Sequence, residues 1–112
     1  MRKLQRAAAV LLVTAGTVAV TAQPAQAAMA SCVVPWSGCE TAAVPAEDGV
    51  IWVGITTPAF NLCDWRVKDI MNGAIIRTRT TMGDWGERIT GVHSWYRLEL
   101  TNCRTSSTGT IR

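Results

Sequence analysis

From residue 50 onward the chain alternates between apolar and polar positions. Residues 50–56 read Val-Ile-Trp-Val-Gly-Ile-Thr and Pro58 stops the run; β-branched and aromatic residues in this density mark a strand. Residues 62–71 set Cys63, Trp65 and Val67 against Asp64, Arg66 and Lys68, the period of two of a half-buried strand. Asn72-Gly73 follows, a strong hairpin signal because both residues tolerate positive φ, and residues 74–81 supply the partner strand. Gly83-Asp84-Trp85-Gly86 marks another turn. Residues 87–93 and 95–102 read as strands, the second alternating through Tyr96, Leu98 and Leu100, and residues 108–111 close the set. Residues 28–48 carry little pattern and read mostly as loop, with a small Cys loop and a Glu47-Asp48-Gly49 turn. No stretch shows helical spacing with caps. The pattern predicts an all-β fold, a small antiparallel sandwich or barrel of about six short strands.

The first residues follow different rules. Arg2, Lys3 and Arg6 precede an apolar run over residues 7–20, then Gln23-Pro24 and Ala25-Gln26-Ala27. Basic start, short apolar run, helix breaker and small-x-small site are the parts of a secretory signal peptide. Cleavage is expected after Ala27, with Ala30 the second choice. The run is too short and too rich in Ala, Thr and Gly for a membrane span, which needs about 20 mostly apolar residues. The expected organisation is a leader over 1–27, a loop-rich segment over 28–48 and a β domain over 49–112, with 28–112 one folded unit.

This division changes the reading of charge and cysteine. The chain has 11 Lys+Arg, 8 Asp+Glu and a formal charge of +3. Three of the cations lie in the leader, so eight face eight in the remainder and the side chains sum to zero. A basic footprint for nucleic acid is therefore absent, and no stable membrane association is expected. Four cysteines, Cys32, Cys39, Cys63 and Cys103, in a small secreted domain read as two disulfides, a common supplement to a small core. Three pairings are possible. Cys32–Cys39 with Cys63–Cys103 is favoured, because Pro35 and Gly38 bend the first loop and the second bridge ties the middle of the domain to its end. With one His and no CxxC spacing, no metal is expected. No glycine-rich phosphate loop opens a helix, so no cofactor is expected, and the domain reads as a monomer.

Two groups of residues are candidates for binding. A two-residue loop at Asn72-Gly73 pairs Lys68 with Arg77 and Arg66 with Arg79, which gathers four cations on one face in two like-charge pairs. Like charges directly opposite destabilise a sheet, so the cluster could serve an anionic partner; the plainer reading is that the long stems cover apolar surface and the heads are solvated or paired. The second group is aromatic. The chain has 5 Trp. Alternation assigns Trp52 and Trp65 to the core. Trp36 in the Cys loop, Trp85 between two turn glycines and Trp95 opening a strand opposite in phase to Tyr96 are expected outside, where aromatic side chains anchor interfaces or fold back over the ends of the sandwich.

Catalytic machinery is not legible. His93 stands beside Ser94 on the opposite side of a strand, with no nucleophile elbow or known triad context. The expected function is a small non-catalytic binding protein that recognises another extracellular protein, including inhibitors of secreted hydrolases. The alternatives are a carbohydrate or cell-wall binding module that uses exposed Trp on a polysaccharide, and an antimicrobial or toxin-like protein. A short two-disulfide all-β chain is similar in general look to the tendamistat class of amylase inhibitors. Its Trp-Arg-Tyr triplet meets only Trp65-Arg66-Val67 here and the cysteine spacings differ, so that resemblance carries over no site.

Overall fold

The computed structural model describes residues 28–112; the expected leader lies outside the described residues. Nine strands and no helix are found among them: β1 Ala30–Val33, β2 Cys39–Glu40, β3 Val44–Pro45, β4 Val50–Thr56, β5 Leu62–Asp69, β6 Ile75–Met82, β7 Trp85–Thr90, β8 Trp95–Thr101 and β9 Thr108–Ile111. β4 and β9 occupy the spans their pattern predicts. The segment before residue 49 supplies β1, β2 and β3, which are too short for alternation to be visible in sequence.

The strands form two antiparallel sheets packed as a sandwich. One runs β1-β9-β4-β7; the other runs β2-β8-β5-β6, with β3 also paired to β8. Period-two alternation turns Ile51, Val53 and Ile55 of β4, Ile89 of β7 and Ile111 of β9 toward Cys63, Trp65 and Val67 of β5 and Tyr96, Leu98 and Leu100 of β8, all of them buried. Trp65 lies at the centre. Its indole N–H donates to Thr81 Oγ1 at 3.1 Å, so the ring is buried without leaving its one donor unpaired. At Gly109 a Cβ would stand 2.7 Å from Leu100 Cδ1 and 2.8 Å from Leu98 Cδ2. The glycine lets β9 close down on β8 across the core.

Both disulfides join the pairs favoured from sequence, Cys32–Cys39 and Cys63–Cys103. The first links β1 to β2, the edge strands of the two sheets on one side of the sandwich. On the opposite side, β6 and β7 are the edges, and ion pairs join them: Glu87 of β7 bonds Arg79 Nε at 2.6 Å and also pairs with Arg77, both on β6.

That contact corrects the register expected at Asn72-Gly73. A two-residue hairpin of either primed type needs positive φ at its first position; Gly73, the second, has φ 79°, whereas Asn72 is not among the positive-φ residues. The chain instead makes a four-residue loop over residues 70–73. Asp69 N–H donates to the Ala74 carbonyl, Gly73 N–H donates to the Asp69 carbonyl, and Asn72 Oδ1 accepts from Ala74 N–H. A bulge then leaves Ile76 without a partner, because Lys68 faces Ile75 while Val67 faces Arg77. The slip puts Arg77 and Arg79 on the inner face beside Val67 and Trp65, and leaves Arg66 and Lys68 outside. The four-cation face does not exist. An inward charge and a bulge on an edge strand are also devices that discourage edge-to-edge pairing.

Trp52 is the second correction. It is 44% exposed on the outer face of β4. Its neighbours Ile51, Val53 and Ile55 hold the inward phase, and a residue between them must face out.

Candidate interaction surface

The registers bring four connections to one end of the sandwich. Leu62 faces Met82, Asp64 faces Thr101, Thr56 faces Thr108, which faces Val33, and Ile55 faces Trp85. Residues 34–38, 57–61, 83–84 and 102–107 therefore share this end, and both disulfides lie at it.

The loops here are tied to one another. Val34 is buried; its N–H donates to the Ser107 carbonyl at 2.8 Å and its carbonyl accepts from Ser106 N–H at 2.9 Å. Cys103 N–H donates to the Ser37 carbonyl at 2.8 Å. The 34–38 and 102–107 loops are thus clasped by main-chain bonds as well as by cysteine. The 57–61 loop is pinned to the 83–84 turn: Gly83 N–H donates to Thr57 Oγ1 at 2.8 Å, and the same hydroxyl donates to the Asn61 carbonyl at 2.9 Å.

Rigid loops would not by themselves attract attention, but these present apolar side chains to water. Trp36 is 84% exposed and Phe60 86% exposed. Leu62 and Met82, cross-strand partners, are also exposed, and with Trp85 and Arg79 they line an open depression of about 400 Å³. From the β2 edge to the β6 edge this end spans three strand spacings, on the order of 14 Å. An end of that width has room for separate anchor points.

The residues expected to bind are dispersed. Trp36 stands on this end. Trp85 opens β7 rather than sitting in a turn, and its indole N–H donates to Glu87 Oε1 at 3.1 Å. Trp95 points outward as expected but at the opposite end, opposite Pro45. Arg66 pairs with Glu99 at 2.7 Å on the outer face of the five-stranded sheet, where Arg97 also pairs with Glu99 at 2.6 Å. Arg77 and Arg79 hold Glu87. Lys68 faces Arg97 on that outer face and makes no ion pair among the described residues.

The electrostatics follow from these partners. Burial alone would push the Glu87 carboxyl up; hydrogen bonds from Arg79 and Trp85 and the charges of Arg77 and Arg79 outweigh it and hold the group below its ordinary value. Glu99 behaves alike, its burial outweighed by Arg66 and Arg97. Asp64 is held down by hydrogen bonds from Thr80 and Asn102. The polar residues near His93 have other engagements. Ser94 Oγ donates directly to Asp69 Oδ1 at 2.8 Å, and His93 N–H donates to the Tyr96 hydroxyl at 3.1 Å. Among the described residues no three of His, Cys, Asp and Glu gather as a metal cluster would.

Phe60, Leu62 and Met82 were not singled out from sequence. The available signal was an aromatic residue lying between a strand-ending proline and the next strand. What fold and surface define together is a small disulfide-stapled β-sandwich with apolar loops at its stapled end. No protein-family model and no curated protein matches the chain.

Proposed function

We propose that this chain is a secreted, non-catalytic recognition protein that binds another extracellular protein through the stapled end of the sandwich. The observation that carries the reading is the coincidence of two disulfides with exposed Trp36 and Phe60 on loops held by main-chain bonds, and with exposed Leu62 and Met82 at the adjoining strand ends. Large apolar side chains on preorganised loops lose little entropy on binding, and aromatic anchors dominate interface energetics. Loop-borne aromatic side chains that stand in water suit a concave apolar cleft, such as the substrate cleft of a secreted hydrolase. Two disulfides with no free cysteine among the described residues suit the oxidising extracellular compartment.

The test is an inhibition and complex-formation panel with secreted proteases and glycosidases. We expect a stoichiometric complex with one of them, weakened about 30-fold or more by Trp36→Ser and again by Phe60→Ser, as for interface anchors worth about 2 kcal/mol each. Both side chains are in water in the free protein, so the thermal midpoint should hardly move. A complex indifferent to both substitutions, or none with any hydrolase in the panel, would count against the proposal.

A further inference from the structure

The outer face of the four-stranded sheet carries a different chemistry. Trp52 sits in the central strand β4, with Arg88 of β7 directly opposite on one side. On the other side Arg112 is held by reciprocal bonds: its N–H donates to the Trp52 carbonyl at 3.0 Å, and Trp52 N–H donates to its carbonyl at 2.7 Å. The Arg88 and Arg112 guanidinium carbons lie 5.8 and 5.6 Å from the Trp52 ring centroid, within cation–π range. Neither guanidinium makes an ion pair or a side-chain hydrogen bond among the described residues, whereas Arg66, Arg77, Arg79 and Arg97 all do. By register the other side chains of this face, Ser31, Val33, Thr56, Thr90, Thr108 and Thr110 among them, include no acidic one. Two cations are thus held in place by one ring, with their donor forks unused and no acidic side chain on their own face.

Beside this row the sheet is hollow. Gly54 and Gly86 face each other, and with Trp52, Thr110 and Arg112 they border a depression of about 240 Å³. Gly38 and Gly109 are required by close neighbours, and Gly49, Gly73, Gly83 and Gly91 by positive φ. Gly54 has neither need: its φ is not in the left-handed region, the register runs unbroken past it, and a Cβ there would meet nothing within 4 Å. A strand glycine costs stability, so an unforced one beside unpaired cations marks a close approach from outside.

We propose that this face is a second binding site, independent of the stapled end, and that it takes an acidic polysaccharide, with a uronate carboxylate on Arg88 and Arg112 and a sugar ring on the Gly54–Gly86 floor. The charges select an anion. The depression is smaller than a drug-sized pocket of about 300–1,000 Å³ and suits one sugar ring, whose apolar C–H face meets the glycine Cα atoms while Thr110 offers a hydroxyl. A peptide adding as a strand needs a free edge, but β4 and β9 are internal strands with their main-chain groups already paired. A nucleobase needs an open aromatic face, and guanidinium groups from both flanking strands already occupy the Trp52 ring.

The test is binding of full mature protein to polygalacturonate at low salt, with dextran, poly-glutamate and a single-stranded DNA oligomer as competitors. We expect polygalacturonate alone to bind, weakened about tenfold by Arg88→Ala or Arg112→Ala, the loss of a charge-assisted hydrogen bond. Gly54→Val should abolish binding while raising the thermal midpoint, since valine fits the strand and fills only the depression. The Trp36→Ser/Phe60→Ser protein should bind the glycan like the parent, so failure here is separable from failure at the stapled end. Equal binding of poly-glutamate or DNA, no retention of polygalacturonate, or a Gly54→Val protein that binds normally would each overturn the proposal.

Discussion

The two sides of the sandwich solve one problem by different chemistry. On the β1–β2 side the sheets are locked by Cys32–Cys39, on the β6–β7 side by Glu87 held between Arg77 and Arg79. A covalent clasp acts mainly by restricting the unfolded chain and is blind to pH and salt. An ionic clasp acts in the folded state, is screened by salt and fails in acid. The comparison shows why the inward arginines are tolerated: β6 and β7 are edge strands, where water still reaches the guanidinium groups while the carboxylate between them is mostly covered. Farther in, the same charges would face a desolvation cost that pairing rarely repays.

Breaking the clasps separates their contributions. The largest loss is expected when the longer bridge goes. Cys63→Ser with Cys103→Ser opens a link with a sequence separation of 40, worth about 4 kcal/mol in the chain-entropy account, against about 2–3 kcal/mol for Cys32→Ser with Cys39→Ser. Urea denaturation of the two double variants checks the order; equal losses would show that native contacts rather than loop length set the effect. Glu87→Gln should cost less, about 1–2 kcal/mol, because both arginines remain partly hydrated. Unlike the cysteine variants, it should also flatten the dependence of stability on salt.

The smallest and most specific effect is on pH. Glu87 and Glu99 both ionise more readily in the fold than at their ordinary value of 4.5. Their contribution is therefore complete above about pH 4.5 and drains away as pH falls below it through the lower folded values. A thermal-midpoint profile from pH 7 to acid should show this decline in the parent and a shallower one in Glu87→Gln/Glu99→Gln. The double cysteine variants should keep the parent slope; a slope changed by cysteine removal would mean that the two sides are coupled.

The candidate surfaces were less legible than the fold, and particular residues show why. Trp36 was readable because a Pro–Gly loop closed by cysteines cannot bury its tip. Trp52 was assigned to the core by alternation read in the wrong phase, since Ile51, Val53 and Ile55 point inward and turn it outward. The pairing of Arg77 and Arg79 with Glu87 was not readable at all, since it joins strands of different sheets. Nor was the grouping of Trp36 with Phe60 and Met82, which depends on which loops share an end.

By itself, the sequence determined the all-β class, the spans of β4 and β9 and the inward phase of β5 and β8, and it favoured, among three possible disulfide pairings, the one the fold contains. Period-two burial and the loop geometry around cysteine are local consequences of residue order. The tertiary structure decided the rest. One bulged residue, Ile76, and a loop two residues longer than the primed turn moved every side chain of β6 from Arg77 onward by one position. Each such slip turns a strand over, and only packing against the second sheet selects which register puts Thr81 on the Trp65 indole and two arginines on one carboxylate.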